Sequence, residues 1–195
     1  MNSIKVAIIS YLIGCFSSAY IVGKIFKSID IREHGSGNSG ATNALRVMGT
    51  HLGALTFLLD VMKGIVAVLI GKWIMGYDGG LIGGLFVVIG HNWPVFMRFK
   101  GGKGVAASLG ASLILNWIPT TISGVLAIII IIFTKYVSLG SITLLVSIPL
   151  VHIIITQTFN DNFTIFSVFL AVFAIIRHKD NFLRLKDGRE NKIGR

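Results

Sequence analysis

The sequence predicts an all-α integral membrane protein with seven transmembrane helices. Of its 195 residues, 53% are apolar and 13% are charged, and the mean hydropathy is +0.79. Apolar segments long enough to cross a bilayer follow one another from end to end. This pattern excludes a disordered chain and argues against a soluble domain. One cysteine, Cys15, excludes a disulfide framework and a multi-cysteine metal site.

Five of the predicted spans are apolar segments of roughly the length that a bilayer requires. No linker long enough to divide the chain lies between them, so we expect a single polytopic membrane domain over residues 1–195. In order, these spans are Ile4–Phe26, Leu52–Ile74, Gly79–Met97, Leu139–Gln157 and Asn162–Ile176.

The remaining two spans come from Gly104–Thr134, a stretch of 31 residues without a charge. As one helix it would be about 46 Å long, against a hydrocarbon core of about 30 Å. Asn116 and Pro119 lie near its centre, and Asn favours turns while Pro is tolerated where a helix starts. We therefore expect two short helices that meet at Asn116–Pro119.

The distribution of basic residues supports seven spans over six. With seven, fifteen of the 18 Lys and Arg residues fall on one side, only Lys5 and Lys72 fall on the other, and Lys63 lies within a span. With six, the division is ten to seven, and the asymmetry that orients membrane proteins is lost. We therefore place the N-terminus outside and the C-terminus in the cytoplasm. The net charge of +10 then reflects topology rather than nucleic-acid binding.

The first of three polar segments on the predicted cytoplasmic side is GSGNSGATN, residues 35–43. Glycine lets backbone amides approach an oxyanion, and Ser, Asn and Thr add short hydrogen-bond donors. For Gly and Ser alone, a flexible loop is the better interpretation. Asn and Thr among the glycines, with Arg46 three residues beyond Asn43, favour a phosphate cradle instead.

The second segment is HNWPVFMRFKGGKG, residues 91–104. Its glycines and lysines directly precede a predicted helix, whose N-terminal amides attract anions. It is not a Walker A loop, because Met97 replaces the first glycine and Gly104 follows Lys103 in place of Ser or Thr. Positive charges that hold the loop in the cytoplasm are the alternative, but they do not explain the glycines. Trp93 and Phe96 are expected as interfacial aromatics.

The third segment is RHKDNFLRLKDGRE, residues 177–190. If it is helical, His178 and Asn181 share a face. A basic tail attracted to anionic lipid is the alternative. That alternative accounts for Arg189, Lys192 and Arg195, but it does not require a His and an Asn at helical spacing.

Within the second predicted span, Asp60 and Lys63 form a pair of charged residues three positions apart at membrane depth. Intramembrane charges are costly, so we expect the two side chains to pair or to face a polar interior. A structural ion pair is at least as good an interpretation as a catalytic one. His51 and His152 have no partners at metal-ligand spacing and are expected to be satisfied polar residues, with no metal site.

Together, Gly35–Arg46, Gly90–Gly104 and Arg177–Glu190 resemble the three signature motifs of the bacterial acyl-phosphate:glycerol-3-phosphate acyltransferases. The stretch LDVMKG, residues 59–64, is also similar to the family pattern, and the motifs occur in order at matching spacing. The resemblance implies a multi-pass enzyme of the bacterial cytoplasmic membrane whose active site faces the cytoplasm. It would transfer an acyl group from acyl phosphate to the 1-hydroxyl of glycerol 3-phosphate, giving lysophosphatidic acid and phosphate. No cofactor, nucleic acid or obligate protein partner is expected.

Roles for individual residues follow from this resemblance as hypotheses. Arg46 and Lys103 clamp phosphate groups, and Gly101, Gly102 and Gly104 give access to backbone amides. His178 and Asn181 position the attacking hydroxyl. The residues that orient phosphate or the glycerol hydroxyl are Ser36, Asn38, Thr42 and Asn43. There are two alternatives for the acceptor of the hydroxyl proton, namely His178 and the substrate's own phosphate. Ser36 as an acyl-carrying nucleophile is disfavoured, because no base is evident beside it. The expected catalytic residues are Ser36, Arg46, Lys103, His178 and Asn181, and the expected substrate-binding residues are Gly35, Gly37, Asn38, Thr42, Asn43, Lys100, Gly101, Gly102, Gly104 and Arg184.

Other classes of protein fit less well. A soluble-type glycerol phosphate acyltransferase would carry His, four residues, then Asp, and none of the five His residues begins such a pattern. A phosphate transporter would suit the phosphate loops and the Asp60/Lys63 pair. However, all three polar segments are predicted on one side, and no second half mirrors the first. A lipid-binding scaffold would explain the basic tail alone.

Overall fold

The computed structural model describes residues 1–193, and this part of the chain contains nine α-helices, two 3-10 turns and no strand. Arg195, which was counted with the basic tail, lies outside the described residues. The helices are α1 (Asn2–Cys15), α2 (Ser18–Lys27), α3 (Ala41–Met48), α4 (Thr50–Asn92), α5 (Val105–Leu115), α6 (Trp117–Thr134), α7 (Val137–Thr156), α8 (Asn162–Arg177) and α9 (Lys179–Lys186); the 3-10 turns are Ile31–Glu33 and Val95–Met97.

The described helices form two compact units, one from Met1 to Leu115 and one that begins at Asn116. In the first unit, α1, α2, α3 and α5 all pack on α4. In the second unit, α7 packs against α6 and α8, and α9 follows α8 after a bend of 54°. Large apolar side chains such as Leu58, Ile128 and Ile154 lie exposed on these helices, as expected of surfaces that face lipid.

Helix α4 is a helical hairpin. Met75 and Gly76 depart from helical geometry, and Gly76 adopts φ 65° and ψ −151°, a backbone conformation that favours glycine. A Cβ on Gly71 would overlap the carbonyl of Gly79, so the two arms (residues 50–74 and 77–92) run antiparallel. The second arm ends at Asn92, short of the predicted end at Met97. Pro94 explains the difference, because a residue that precedes proline is disfavoured in helical geometry.

The first predicted span, Ile4–Phe26, is broken in the structure. Helix α1 ends at Cys15 and α2 begins at Ser18. The break is stabilised by Lys63, whose Nζ donates to the carbonyl oxygens of Gly14 (3.2 Å) and Phe16 (2.8 Å). Lys63 also pairs with Asp60 at 2.9 Å, so the predicted ion pair is confirmed.

The predicted division of Gly104–Thr134 is confirmed. Helix α5 ends at Leu115 and α6 begins at Trp117, while Asn116 between them is extended (φ −154°, ψ 96°). The carbonyl oxygen of Asn116 accepts a hydrogen bond from the Thr120 hydroxyl at 2.7 Å, which satisfies a carbonyl group at this break.

Four helical segments of residues 1–193 are long and apolar enough to cross a membrane, and the bent pair α8 and α9 would make a fifth. One of the four, Thr50–Met97, contains the α4 hairpin. Helix α5, with 11 residues, is shorter than a full span. The structure thus supports an all-helical integral membrane protein.

His152 is a satisfied polar residue, as predicted. Its Nε2 lies 2.8 Å from Asp161 Oδ2 and its Nδ1 lies 3.1 Å from Asn116 Nδ2. Asp161 also caps α8, because its Oδ1 accepts from the Thr164 backbone N–H at 2.8 Å. Burial acts to raise the pKa of Asp161, but hydrogen bonds from Thr158, Thr164 and His152 outweigh it and lower the pKa below its usual range.

Candidate active site

The first glycine-rich segment forms a tight loop before α3. Gly35 (φ 61°) and Gly37 (φ 70°) both adopt positive φ values, and the Gly37 N–H donates to the carbonyl of His34 at 3.1 Å. Gly35, Ser36 and Gly37 are exposed at the turn. The loop therefore presents the Ser36 side chain and nearby backbone to a ligand from solution.

Asn43 holds this loop in place. Its side chain is 2% exposed, its Oδ1 accepts from the Ser36 backbone N–H at 2.9 Å, and its Nδ2 donates to the carbonyls of Ile31 (3.2 Å) and His34 (3.0 Å). The amide is therefore hydrogen-bonded to the loop itself. This differs from the expectation that Asn43 orients substrate directly, because burial in α3 turns its side chain toward the backbone.

Helix α3 carries the other residues of this segment. Gly40 occupies its N-cap position, Thr42 is half-buried in the first turn, and Arg46 is exposed in the last turn. Asn38 is half-buried in the loop that leads into the helix. Both Asn43 and Arg46 thus lie on one short helix, as their spacing predicted.

A cavity of about 580 Å³ lies in the first unit, beside this loop and the second polar segment. Asp30 and Arg32 of its wall form a two-point pair, in which Arg32 Nη2 donates to Asp30 Oδ2 at 2.6 Å. This hydrogen bonding lowers the pKa of Asp30 to about 2. Gly37 and Lys100 are the two predicted substrate-binding residues that the cavity wall contains. The wall consists of Asp30, Arg32, Glu33, Gly37, Phe96, Met97, Arg98 and Lys100.

The second glycine-rich segment packs against the end of α4. The Gly102 N–H donates to the carbonyl of His91 at 3.0 Å, and a Cβ on Gly102 would overlap the His91 imidazole. Gly104 has φ 77° and begins the turn into α5, where its carbonyl accepts from the Ser108 N–H at 2.8 Å. Lys103 is half-buried within this loop. The glycines therefore allow a close approach of loop and helix that larger residues would prevent.

In the second unit, His178 lies at the junction of α8 and α9 and is 2% exposed. Its Nδ1 is 2.8 Å from the carbonyl oxygen of Ala174. A carbonyl oxygen only accepts hydrogen bonds, so Nδ1 carries a proton and donates to it. The sequence offered no carboxylate to orient this ring; a backbone carbonyl does so instead.

Glu190 connects two predicted site residues of the second unit. Its Oε1 accepts from Asn181 Nδ2 at 2.6 Å, and its Oε2 accepts from Arg184 Nε at 2.8 Å. Burial acts to raise the pKa of Glu190, but the hydrogen bonds from Asn181 and Arg184 outweigh it and lower the pKa. Asn181, 5% exposed, follows His178 by one turn, since its N–H donates to the His178 carbonyl at 2.9 Å.

The structure joins the predicted residues in small groups. Ser36 contacts Asn43, Gly37 and Lys100 line one cavity, and Asn181 and Arg184 share Glu190. Sequence reasoning assigned no role to His91 or Glu190, although both lie inside the polar segments. Among residues 1–193, no group of three or more His, Cys, Asp or Glu side chains is arranged to hold a metal ion.

Comparison with known proteins identifies the family. A profile described as glycerol-3-phosphate acyltransferase matches residues 4–188. The glycerol-3-phosphate acyltransferase of Thermoanaerobacter pseudethanolicus is 49% identical over 197 aligned positions, which cover 100% of this chain and 97% of that protein.

Solved structures agree with the profile. The crystal structure of PlsY (YgiH), an integral membrane glycerol 3-phosphate acyltransferase, matches in its glycerol 3-phosphate form with a TM-score of 0.91 and 35% identity, covering 100% of this chain and 96% of that chain. Its lysophosphatidic acid form matches with a TM-score of 0.89 over the same shares, also at 35% identity. The resemblance seen in the sequence motifs is thus confirmed, and the transporter alternative is wrong. This chain belongs to the glycerol-3-phosphate acyltransferase family.

Proposed function

We propose that the enzyme transfers an acyl group from acyl phosphate to the 1-hydroxyl of sn-glycerol 3-phosphate. The hydroxyl oxygen forms a bond to the acyl carbonyl carbon, and the bond from that carbon to the phosphate oxygen breaks. The products are 1-acyl-sn-glycerol 3-phosphate, a lysophosphatidic acid, and inorganic phosphate. The observation that carries the proposal is the match over the full chain to PlsY in both its glycerol 3-phosphate and lysophosphatidic acid forms.

The choice of acyl phosphate as donor rests on the chemistry of the two glycine-rich loops. An acyl phosphate is a mixed anhydride whose leaving group departs as a stable phosphate anion. Its transfer therefore needs stabilisation of negative charge more than it needs a strong general acid. The ammonium group of Lys103, which is half-buried in its glycine loop, is a group of this kind.

On the first loop, Ser36, Asn38 and Thr42 orient a phosphate or the glycerol hydroxyls, and Arg46 clamps a phosphate. The fixed backbone of Ser36 and the exposure of Ser36 and Arg46 support this assignment. The Asn43 amide acts indirectly, through the shape of the loop. On the second loop, Lys103 clamps a phosphate and Lys100 contributes positive charge. The expected access to backbone amides does not hold at Gly102, because its N–H already donates to the His91 carbonyl, so the buried Gly101, Gly102 and Gly104 act through the close packing of the loop.

His178 and Asn181 position the attacking hydroxyl. The support is the hydrogen bond from Nδ1 to the Ala174 carbonyl, which fixes the orientation of the imidazole ring. Glu190 holds Asn181 and Arg184, both of which lie on α9. The hydroxyl proton passes either to His178 Nε2 or to a substrate phosphate, and in both cases His178 orients the nucleophile.

The enzyme crosses the bacterial cytoplasmic membrane seven times, with its N-terminus outside and its active site facing the cytoplasm. Two features support seven crossings, namely the hairpin in α4 and the separate helices α5 and α6. The distribution of the 18 Lys and Arg residues supports the orientation. Acyl phosphate would then reach the site from the bilayer and glycerol 3-phosphate from the cytoplasm.

A donor assay tests the proposed reaction. Purified enzyme is incubated with labelled glycerol 3-phosphate and either acyl phosphate or acyl-CoA. We expect labelled lysophosphatidic acid with acyl phosphate alone. Product from acyl-CoA alone would overturn the assignment of the donor.

A labelling experiment tests the orientation. Cys15 is first replaced by Ala, and single cysteines are then introduced as Asn160→Cys, in the exposed turn before α8, and Lys27→Cys, at the exposed end of α2. In intact cells, a membrane-impermeant maleimide should label the first variant but should label the second only after permeabilisation. The opposite result would reverse the proposed orientation.

A further inference from the structure

The residue roles proposed above do not include a buried charged cluster in the first unit. The side chains of Asp60, Lys63 and His91 are 2%, 6% and 5% exposed. Asp60 Oδ1 lies 2.9 Å from Lys63 Nζ and accepts a hydrogen bond from the Ser18 hydroxyl at 2.7 Å. Lys63 in turn donates to carbonyls at the break between α1 and α2. The cluster thus fixes the start of α2 and the end of α1 against the first arm of α4.

The same carboxylate faces the second arm of α4. His91 Nδ1 lies 3.6 Å from Asp60 Oδ1, an electrostatic contact rather than a hydrogen bond. On its other side, the His91 imidazole packs so closely on Gly102 that a Cβ there would overlap Nε2. The His91 carbonyl also accepts the Gly102 N–H and leaves no room for a Cβ on Gly101. The imidazole is therefore held between the buried carboxylate and the glycine loop.

Stability alone does not account for such a cluster. Charges at membrane depth are costly, and a buried ion pair often contributes no more than well-packed apolar residues would. The charges of Asp60 and Lys63 neutralise each other, and this neutralisation requires no histidine beside the pair. The contacts of the cluster lead from Asp60 through His91 to Gly102, and Lys103 directly follows Gly102 in the chain.

We propose that Asp60 is a positioning residue for acyl transfer. Through His91 it holds Gly101 and Gly102 against the end of α4, and it thereby sets the position of Lys103. This inference rests on the proposed role of Lys103 in binding a substrate phosphate. Asp60 touches no substrate in this account, and its effect passes entirely through the His91 ring.

Two substitutions of His91 separate its two contacts. His91→Asn keeps a polar nitrogen close to the position of Nδ1 but removes the ring from Gly102. His91→Phe keeps a ring against Gly102 but removes the polar nitrogen that faces Asp60. Both leave the Asp60–Lys63 pair intact, so neither creates an unpaired buried charge. We expect each to lower kcat/KM for glycerol 3-phosphate about tenfold, because positioning requires both contacts.

A double-mutant cycle tests whether Asp60 acts through His91. Asp60→Asn alone should lower kcat/KM about tenfold, and in the His91→Phe background it should add less than about twofold. Val68→Ala is the matched control, since Val68 is fully buried on the same arm of α4. It should lower the melting temperature while leaving kcat/KM within about twofold of wild type. Independent losses from Asp60→Asn and His91→Phe, or an equal kinetic loss in Val68→Ala, would overturn the proposal.

Hydrogen exchange gives a readout that does not depend on the reaction. In His91→Phe, the amides of residues 101–104 should exchange faster than in wild type, while exchange in α5 stays unchanged. Unchanged exchange in the loop would contradict the positioning role whatever the acyl donor is. Failure of the wild-type enzyme to use acyl phosphate would instead contradict the proposed function. The hydrogen-exchange result for residues 101–104 would keep its meaning in that case.

Discussion

The side-chain oxygen of Asn43 accepts a hydrogen bond from the backbone N–H of Ser36 at 2.9 Å. The amide nitrogen of the same residue donates to the carbonyls of Ile31 and His34. One buried side chain on α3 therefore closes the glycine loop from both ends. The position of Ser36 in the candidate site depends on a residue that touches only the loop backbone in these contacts.

Asn43→Ala should reduce both stability and activity. The substitution leaves one N–H and two carbonyls without their partner, which costs about 1–3 kcal/mol in unfolding free energy. It also releases the loop, so kcat/KM should fall at least about tenfold. Thermal unfolding and steady-state kinetics measure the two effects. The control is Asn160→Ala at an exposed asparagine, and equal results for both variants would contradict the role of Asn43.

Gly102→Ala should impair the second loop. The added methyl group overlaps the His91 imidazole, so the loop must shift and carry Lys103 with it. We expect kcat/KM to fall about tenfold or more. Gly124→Ala is the control, because a Cβ there meets no atom within 4 Å on α6, and it should raise stability by about 0.5–1 kcal/mol. A fully active Gly102→Ala enzyme would show that loop and ring are not in tight contact.

His178→Asn should separate folding from catalysis. An asparagine amide can donate to the Ala174 carbonyl as Nδ1 does, but it places no acceptor at the position of Nε2. The melting temperature should therefore stay close to that of wild type while kcat falls about a hundredfold. Wild-type kcat in this variant would remove His178 from the proposed mechanism.

Glu190→Gln should change the pH dependence of stability. Folding lowers the pKa of Glu190, so its carboxylate stabilises the protein above the usual glutamate pKa of about 4.3. That contribution is lost as the pH falls through the folded-state pKa. At pH 7, the unfolding free energy of wild type should exceed that of Glu190→Gln by about 1–3 kcal/mol. This difference should shrink near pH 3. The control Glu33→Gln, at an exposed carboxyl, should show no such difference at either pH.

Local patterns in the sequence predicted much of the fold. Asn116 marked the break between α5 and α6, and the gap between the two predicted spans contained the turn at Gly76. The break between α1 and α2 was not predicted. It lies in one continuous apolar run, and it is stabilised by Lys63 from a distant part of the chain.

In the candidate site, too, local sequence patterns predicted some features and not others. The spacing of His178 and Asn181 predicted that they share one helical turn, and the structure places them so. The contact of Asp60 with His91 arises only when the two arms of α4 fold back on each other, so no local pattern indicates it. The inward orientation of Asn43 likewise follows from the packing of α3, which the loop sequence does not specify.

The most direct test of the account is the timing of phosphate release. Enzyme at micromolar concentration is mixed with acyl phosphate, and glycerol 3-phosphate is added later. Direct transfer predicts no stoichiometric burst of phosphate before the acceptor is added, and equal amounts of phosphate and 1-acyl-sn-glycerol 3-phosphate afterwards. A burst equal to the enzyme concentration without glycerol 3-phosphate would indicate an acyl-enzyme intermediate and contradict direct transfer.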